Sequence, residues 1–288
     1  MSAVTVPNRR RNKPRPAYGE IVLRIVTVGG FLYLFAPIFS IVLFSFNKPK
    51  GKFNLKWQEF TLDNWADPLA KQDLTNALGR SLQIALIAAL AATAMGGLMA
   101  LALARYRFRG GALLNLLIVL PLTTPEIVMG ASLLNLFVKY DSEFSSVGVN
   151  GRGFATVLIS HTMFCVSFVA LTVKARVSGF DWTLEDAAMD LGAPPLRTFR
   201  RVTFPLIMPG VMAAFLLSFS LSIDDFIITS FTSGQYVTFP LQIAGAFQRE
   251  VSPQISVLAT MILAASITLM AVGSVAKAWR EGRAVLGN

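Results

Sequence analysis

Six apolar runs divide the chain: Ile21 to Phe46, Ser81 to Ala104, Ala112 to Val138, Phe154 to Val173, Pro205 to Phe231 and Val257 to Trp279. A helix needs about 20 such residues to cross a hydrocarbon core, and each run supplies them. None shows the apolar/polar alternation of a barrel strand. The pattern predicts an all-α membrane protein with six transmembrane helices over residues 21–279. Around the runs lie a basic segment over 1–20, a polar loop over 47–80, a polar stretch over 178–204 and a tail over 280–288. The connection from Tyr140 to Gly153 holds Gly148 and Gly151 and reads as an irregular loop.

Composition narrows the class further. Of the 288 residues, 54% are hydrophobic and 15% charged. That is too apolar for a water-soluble globule and too poor in charge for a disordered chain. A single cysteine excludes an internal disulfide framework and a cysteine metal cluster.

The net charge of +10 reflects orientation rather than nucleic-acid binding. Five basic residues precede the first run, from Arg9 to Arg15, and Arg24 lies near its start. With that end inside, Arg105, Arg107, Arg109, Lys174, Arg176, Arg197, Arg200, Arg201, Lys277, Arg280 and Arg283 are also cytoplasmic. Seventeen of the 26 Lys and Arg then lie inside, which places both termini in the cytoplasm. The 47–80 loop runs against this bias with six basic residues, but long loops translocate largely regardless of charge. The first apolar run is long enough to span and lacks a small-residue cleavage site, so 1–20 reads as a cytoplasmic tail and not a cleaved signal.

In the 47–80 loop, Trp57 and Trp65 suit an aromatic belt, and Leu62 to Leu78 suits an interfacial helix. Two readings stay open for it: a lid packed on the bundle, or a docking surface for an external partner. The second run is rich in small residues, including Ala85, Ala88, Ala89, Ala92, Gly96 and Ala100, which lets helix backbones approach closely in lipid.

The stretch SGFDWTLEDAAMDLGAPPLRTFRRVT, Ser178 to Thr203, breaks the apolar pattern. Asp181 or Thr183 suits a helix N-cap, with Glu185 and Asp186 in the first turn near the positive end of the dipole. Gly192 ends the helix, and Pro194 and Pro195 enforce the break. A second amphipathic piece follows, with Leu196, Phe199 and Val202 on one face and Arg197, Arg200 and Arg201 on the other. A helix–turn–helix on the cytoplasmic face is expected.

This segment resembles the EAA loop of ATP-binding-cassette (ABC) importer permeases, whose pattern is E-A-A, three residues, G, nine residues, I-x-L-P. Here Asp186-Ala187-Ala188, Gly192 and Val202-Thr203-Phe204-Pro205 stand at matching spacing, with Asp for Glu, Val for Ile and Phe for Leu. The resemblance covers most of the chain and is nearest to the PotC/PotI-type permeases of spermidine and putrescine importers. FLYLFAPIFSIVLFSFN, PLTTPEIVMGASLLNLF, HTMFCVSFV, SFSLSIDDFIITSFTSG and VSPQISVLAT carry it outside the loop.

The resemblance implies a type I ABC importer permease fold in a bacterial inner membrane. It also implies two ATPase subunits, a second homologous permease and an extracytoplasmic polyamine-binding protein. Residues Glu185, Asp186, Ala187, Ala188 and Gly192 are then the ATPase-coupling helix. No GxxxxGK[ST] run exists, since Gly51-Lys52 is followed by Phe53 and lacks the upstream glycine. No cofactor is expected on this chain, and ATP and Mg belong to the partner ATPase. The protein is expected to be a permease and not itself a catalyst.

Glu126, Asp224 and Asp225 lie inside predicted spans. Each central acid costs about 2.5–3.5 kcal/mol on insertion scales, so such groups face partners or a wet cavity. Arg24 and His161 lie near span ends and form no obvious neutralising set. A cationic polyamine, with ammonium ends and methylene stem, suits carboxylates and apolar walls.

Asp225 shares a helical stripe with Ser218, Ser222 and Thr229, which assigns it to the pore. Asp224, on the stripe of Leu217 and Ser220, is assigned a structural or gating role. Glu126 follows Pro121 and Pro125 and marks a broken-helix site. Internal hydrogen bonding to Ser, Thr or the second permease is the alternative for each acid. His161 and Cys165, one turn apart, read as packing and not as a metal site. Another solute for the same machine (an amino acid, a phosphonate or ferric iron) and a stand-alone ion-coupled transporter are the competing functions.

Overall fold

The computed structural model describes residues 17–106 and 109–286. The expected basic tail over 1–20 lies almost wholly outside them, as does Arg107. In chain order the helices are α1 (Ala17–Phe44), α2 (Asp63–Ala66), α3 (Gln72–Arg105), α4 (Gly111–Thr123), α5 (Glu126–Lys139), α6 (Asp141–Ser146) and α7 (Phe154–Val177). There follow α8 (Thr183–Asp190), α9 (Pro195–Thr198), a π-helical turn (Phe199–Thr203), α10 (Phe204–Ile223), α11 (Ile227–Thr232), α12 (Phe239–Arg249) and α13 (Pro253–Leu286).

Among the described residues, four helical stretches are long and apolar enough to cross a membrane: Tyr18–Phe44, Gln72–Arg105, Phe154–Val177 and Pro195–Ile223. The pair α4 and α5, bent by 109°, makes a fifth if counted as one. The sixth predicted run falls on α13, whose apolar part covers Pro253–Thr268.

The chain divides into two compact units. One holds residues 17–70 and 251–286. Here α1 and α13 pack together. The expected interfacial helix over Leu62 to Leu78 is broken: α2 covers only Asp63–Ala66, because Asp67 leaves helical geometry just before Pro68, and Gln72 onward belongs to α3. The loop folds back on the end of α1. Asn47 donates to Asn54 Oδ1 (2.6 Å) and to the Lys56 carbonyl (2.9 Å) and accepts from the Gln58 N–H (2.8 Å). Phe46 stacks on Phe60 and Trp65. Trp65 is therefore held by the loop's own packing.

The second unit, residues 71–250, is built on α3 and α7, with α10 packed on both. The small-residue stripe forms this contact: Ala85, Ala88, Ala89, Ala92, Gly96 and Ala100 are all buried. At Gly96 a Cβ would lie 2.8 Å from the Val166 carbonyl oxygen and from Val169 Cβ, so the two backbones approach as closely as glycine allows. Val169, Val173, Ile207 and Ala214 continue the core.

Two predicted spans are interrupted. Thr124, extended ahead of Pro125, separates α4 from α5, as a residue before proline favours. Pro121 is accommodated within α4. The second interruption, Asp224 to Phe226, separates α10 from α11 and has no proline or glycine to signal it. Beyond the breaks, α5 and α11 pack side by side, and a Cβ on Gly130 would lie 2.5 Å from the Phe231 ring. The expected second piece of the helix–turn–helix is continuous with the fifth span, through α9 and the π turn into α10.

Candidate functional site

The three acids occupy the two breaks. Glu126 is the first residue of α5, where the helix dipole favours a negative charge, and it is exposed. Asp224 ends α10 and is also exposed. Asp225 turns inward, its side chain only 5% exposed.

The Asp225 carboxylate is well provided with donors. Its Oδ2 accepts the Thr229 N–H (2.8 Å) and the Thr229 hydroxyl (2.6 Å), and His161 Nε2 lies 3.2 Å away. His161 is itself buried, with Nδ1 2.7 Å from Ser222 Oγ and Nε2 2.8 Å from Thr229 Oγ1. Thr229 donates to Asp225 through both its N–H and its hydroxyl, and the His161 ring faces Thr229 and Asp225 through Nε2 and Ser222 through Nδ1. The imidazole bridges α7 to the α10–α11 break, and three hydrogen-bonding groups surround the carboxylate. This is how a charge is tolerated where water is scarce.

The stripe read from the sequence, Ser218, Ser222, Asp225 and Thr229, therefore exists, but it faces α7. The sequence reading passed over His161 as a partner. It is the chain's sole histidine, and its polarity within an apolar run was the available signal. Cys165, one turn further on, is buried with its thiol 3.5 Å from the Ser218 carbonyl. Arg24 lies 4.0 Å from Glu20, both exposed.

The second constellation lies at the other end of α7. The Asp181 carboxylate accepts the Thr183 N–H (3.1 Å) and hydroxyl (2.8 Å), which starts α8. Gly192, at φ +84°, ends the segment in a conformation that disfavours other side chains. Asp186, Ala187 and Gly192 are exposed, Ala188 half-buried, and Leu191 90% exposed. Glu185 is the exception, at 3% exposure. It pairs with Arg105 at the end of α3 and accepts the Thr203 hydroxyl from the π turn. Both partners escaped the sequence reading. Neither a 198–203 helix face nor a basic span end advertises an internal partner.

Among the described residues no group of three His, Cys, Asp or Glu could hold a metal ion. What the site offers is two acid-bearing interruptions in membrane-spanning helices and a short amphipathic helix rooted in the bundle. These are the features of a polytopic solute permease.

Comparison with known proteins agrees. Residues 92–284 match the family described as binding-protein-dependent transport system inner membrane component, and the chain belongs to that family. It is 39% identical over 249 residues to the spermidine/putrescine transport system permease protein PotC of Escherichia coli strain K12, covering 84% of this chain and 90% of that one. It is 38% identical to the PotC of Haemophilus influenzae, covering 83% and 90%. The putrescine transport system permease protein PotI of Escherichia coli strain K12 is 37% identical, covering 84% and 85%.

Among solved structures, the fold is shared with a bacterial ABC transporter involved in import of the acidic polysaccharide alginate. The TM-score is 0.65 at 14% identity, covering 88% of this chain and 92% of that chain. An amino acid ABC transporter aligns with a TM-score of 0.52 at 18% identity, covering 75% and 98%.

Proposed function

We propose that this chain forms half of the translocation pathway of an ATP-driven importer of polyamines such as spermidine and putrescine. The carrying observation is the pair of breaks with exposed carboxylates at Glu126 and Asp224. Irregular backbone at membrane depth is tolerated where it is buried in protein or lines a hydrated cavity, and intramembrane acids mark cation paths. Glu126 and Asp224 contact the ammonium groups. Asp225 contributes to the pathway wall by holding the break that presents Asp224. The names of the 37–39% identical relatives support the substrate class.

The assembly needs partners. A second homologous permease completes the pathway, and an extracytoplasmic binding protein delivers the solute. Two ATPase subunits, which hold ATP and Mg, dock on α8 through Asp186, Ala187, Ala188 and Leu191. Closure of the ATPases moves α8 and rocks the spans between outward- and inward-open states. The basic residues at the α8 end support a cytoplasmic location for α8 and for both termini.

The test is spermidine uptake by the complete importer in proteoliposomes, competed by a panel of solutes. Putrescine and spermidine compete; amino acids, phosphonates and ferric iron do not. Uptake unaffected by polyamines and blocked by another of these solutes overturns the substrate assignment. Uptake by this chain alone, driven by an ion gradient without ATP, overturns the ABC reading.

A further inference from the structure

We propose that Glu185 acts inside the permease as a positioning residue, clamping α8 to two spans at once. This rests on the reading of α8 as the ATPase-coupling helix. Its neighbour Asp186 is exposed, whereas Glu185 points about 100° away around the helix into the bundle. One carboxylate oxygen takes the Arg105 guanidinium from the last turn of α3; the other accepts the Thr203 hydroxyl from the π turn that leads into α10. Arg105 also lies over the Trp182 ring, 5.3 Å from its centroid, just ahead of α8. A cavity of about 240 Å³ lined in part by Arg105, Trp182, Glu185, Phe199 and Thr203 adjoins the clamp.

The chain path explains why such a clamp is needed. From α8 to α10 the covalent route passes through the Gly192 turn and Pro194. From α8 to α3 no short covalent route exists, since Arg105 and Glu185 are 80 residues apart. A push on α8 transmitted by the backbone alone reaches α10 through a turn and reaches α3 only by contact. The shared carboxylate makes the three elements move as one piece. A charged, hydrogen-bonded pair holds direction as well as distance, which apolar contact does not. The π turn belongs to the same device, because its hydroxyl is one of the two fasteners.

The experiment measures spermidine imported per ATP hydrolysed by the complete importer, with its binding protein, in proteoliposomes. Glu185→Gln keeps the volume and an acceptor for Thr203 but removes the charge facing Arg105. The yield per ATP is expected to fall at least about 5-fold, the lower range of allosteric coupling. A reporter cysteine, Leu191→Cys, is still expected to crosslink to the ATPase in that variant. Exchanging the charges, Arg105→Glu with Glu185→Arg, recovers most of the yield lost in Arg105→Glu alone.

A parent-like yield in Glu185→Gln, or a double exchange no better than Arg105→Glu, overturns the clamp. If Glu185→Gln fails to assemble, Thr203→Val removes one fastener at constant volume. A reduced yield then supports the clamp and a parent-like yield overturns it. Failure of Leu191→Cys to capture an ATPase in the otherwise unaltered importer overturns the coupling reading instead.

Discussion

Asp224 and Asp225 share a peptide bond and live in different surroundings. The first is exposed at the end of α10, and the second is enclosed by Thr229 and His161. The same substitution is therefore expected to give different phenotypes. If Asp224 contacts the substrate as proposed, Asp224→Asn removes a charge-assisted contact worth about 1.5–3 kcal/mol and is expected to lower spermidine uptake about 10- to 150-fold. Its thermal stability stays within about 0.5 kcal/mol of the parent, as for other exposed sites. Asp225→Asn sets an amide among three hydrogen-bonding groups and is expected to destabilise by about 1–3 kcal/mol, read as a lower Tm of the purified complex. Equal effects of the two variants on Tm contradict this division. The sequence shows both acids but not the division. Helical spacing put Asp225 on a polar stripe correctly, yet a stripe has no sign. It points to a pore or to a buried partner, and His161, 64 residues away in sequence, decides which.

At the scale of helices, the closest contact is the crossing of α3 and α7 at Gly96. Gly96→Val forces a side chain against the Val166 carbonyl oxygen and the Val169 side chain and is expected to cost about 1–3 kcal/mol. Gly97→Ala, one residue on, meets nothing within 4 Å and leaves stability unchanged or raises it by up to about 1 kcal/mol. Thermal melts of the two variants check this directly. The alanine and glycine stripe made this interface legible in the sequence. Legibility fails where no local signal exists. Pro125 announces its break because it restricts the residue before it and lacks an N–H. The break at Asp224 to Phe226 lies among good apolar span residues. It is held open by side-chain bonds from another helix, which no window along the chain reveals. Glu185 carries a partial signal: it falls three residues from the half-buried Trp182 and four from the half-buried Met189, so one charged residue interrupts an otherwise inward face.

For the whole molecule, the proposed topology puts the α6 loop and α8 on opposite sides of the membrane, separated by the single span α7. Val147 is 74% exposed and Leu191 90% exposed. The sole native cysteine, Cys165, is buried and leaves little labelling background. Val147→Cys is expected to react with an impermeant maleimide in intact cells, and Leu191→Cys only after permeabilisation. The reverse pattern inverts the proposed orientation. The apolar runs were legible because lipid imposes a length: four of the six expected spans are long apolar helices, a fifth is the bent pair α4 and α5, and the sixth run falls on the shorter apolar part of α13. Assembly is a different matter: α1 exposes nearly all of its large apolar side chains, and no pattern along the chain names what covers them.

The π turn at Phe199–Thr203 carries a consequence for how this sequence tolerates change. A π turn winds one residue more than an α turn into nearly the same axial height, so it absorbs an extra residue without turning the helix on either side. Losing one residue there would restore an ordinary α turn and keep α9 and α10 in nearly the same phase. Ser218 and Ser222 would still face α7, and the change would be confined to the residues inside the turn, Thr203 and its bond to Glu185 among them. A single-residue deletion in those five positions is therefore expected to loosen the Glu185 contact while leaving the rest of the bundle in register.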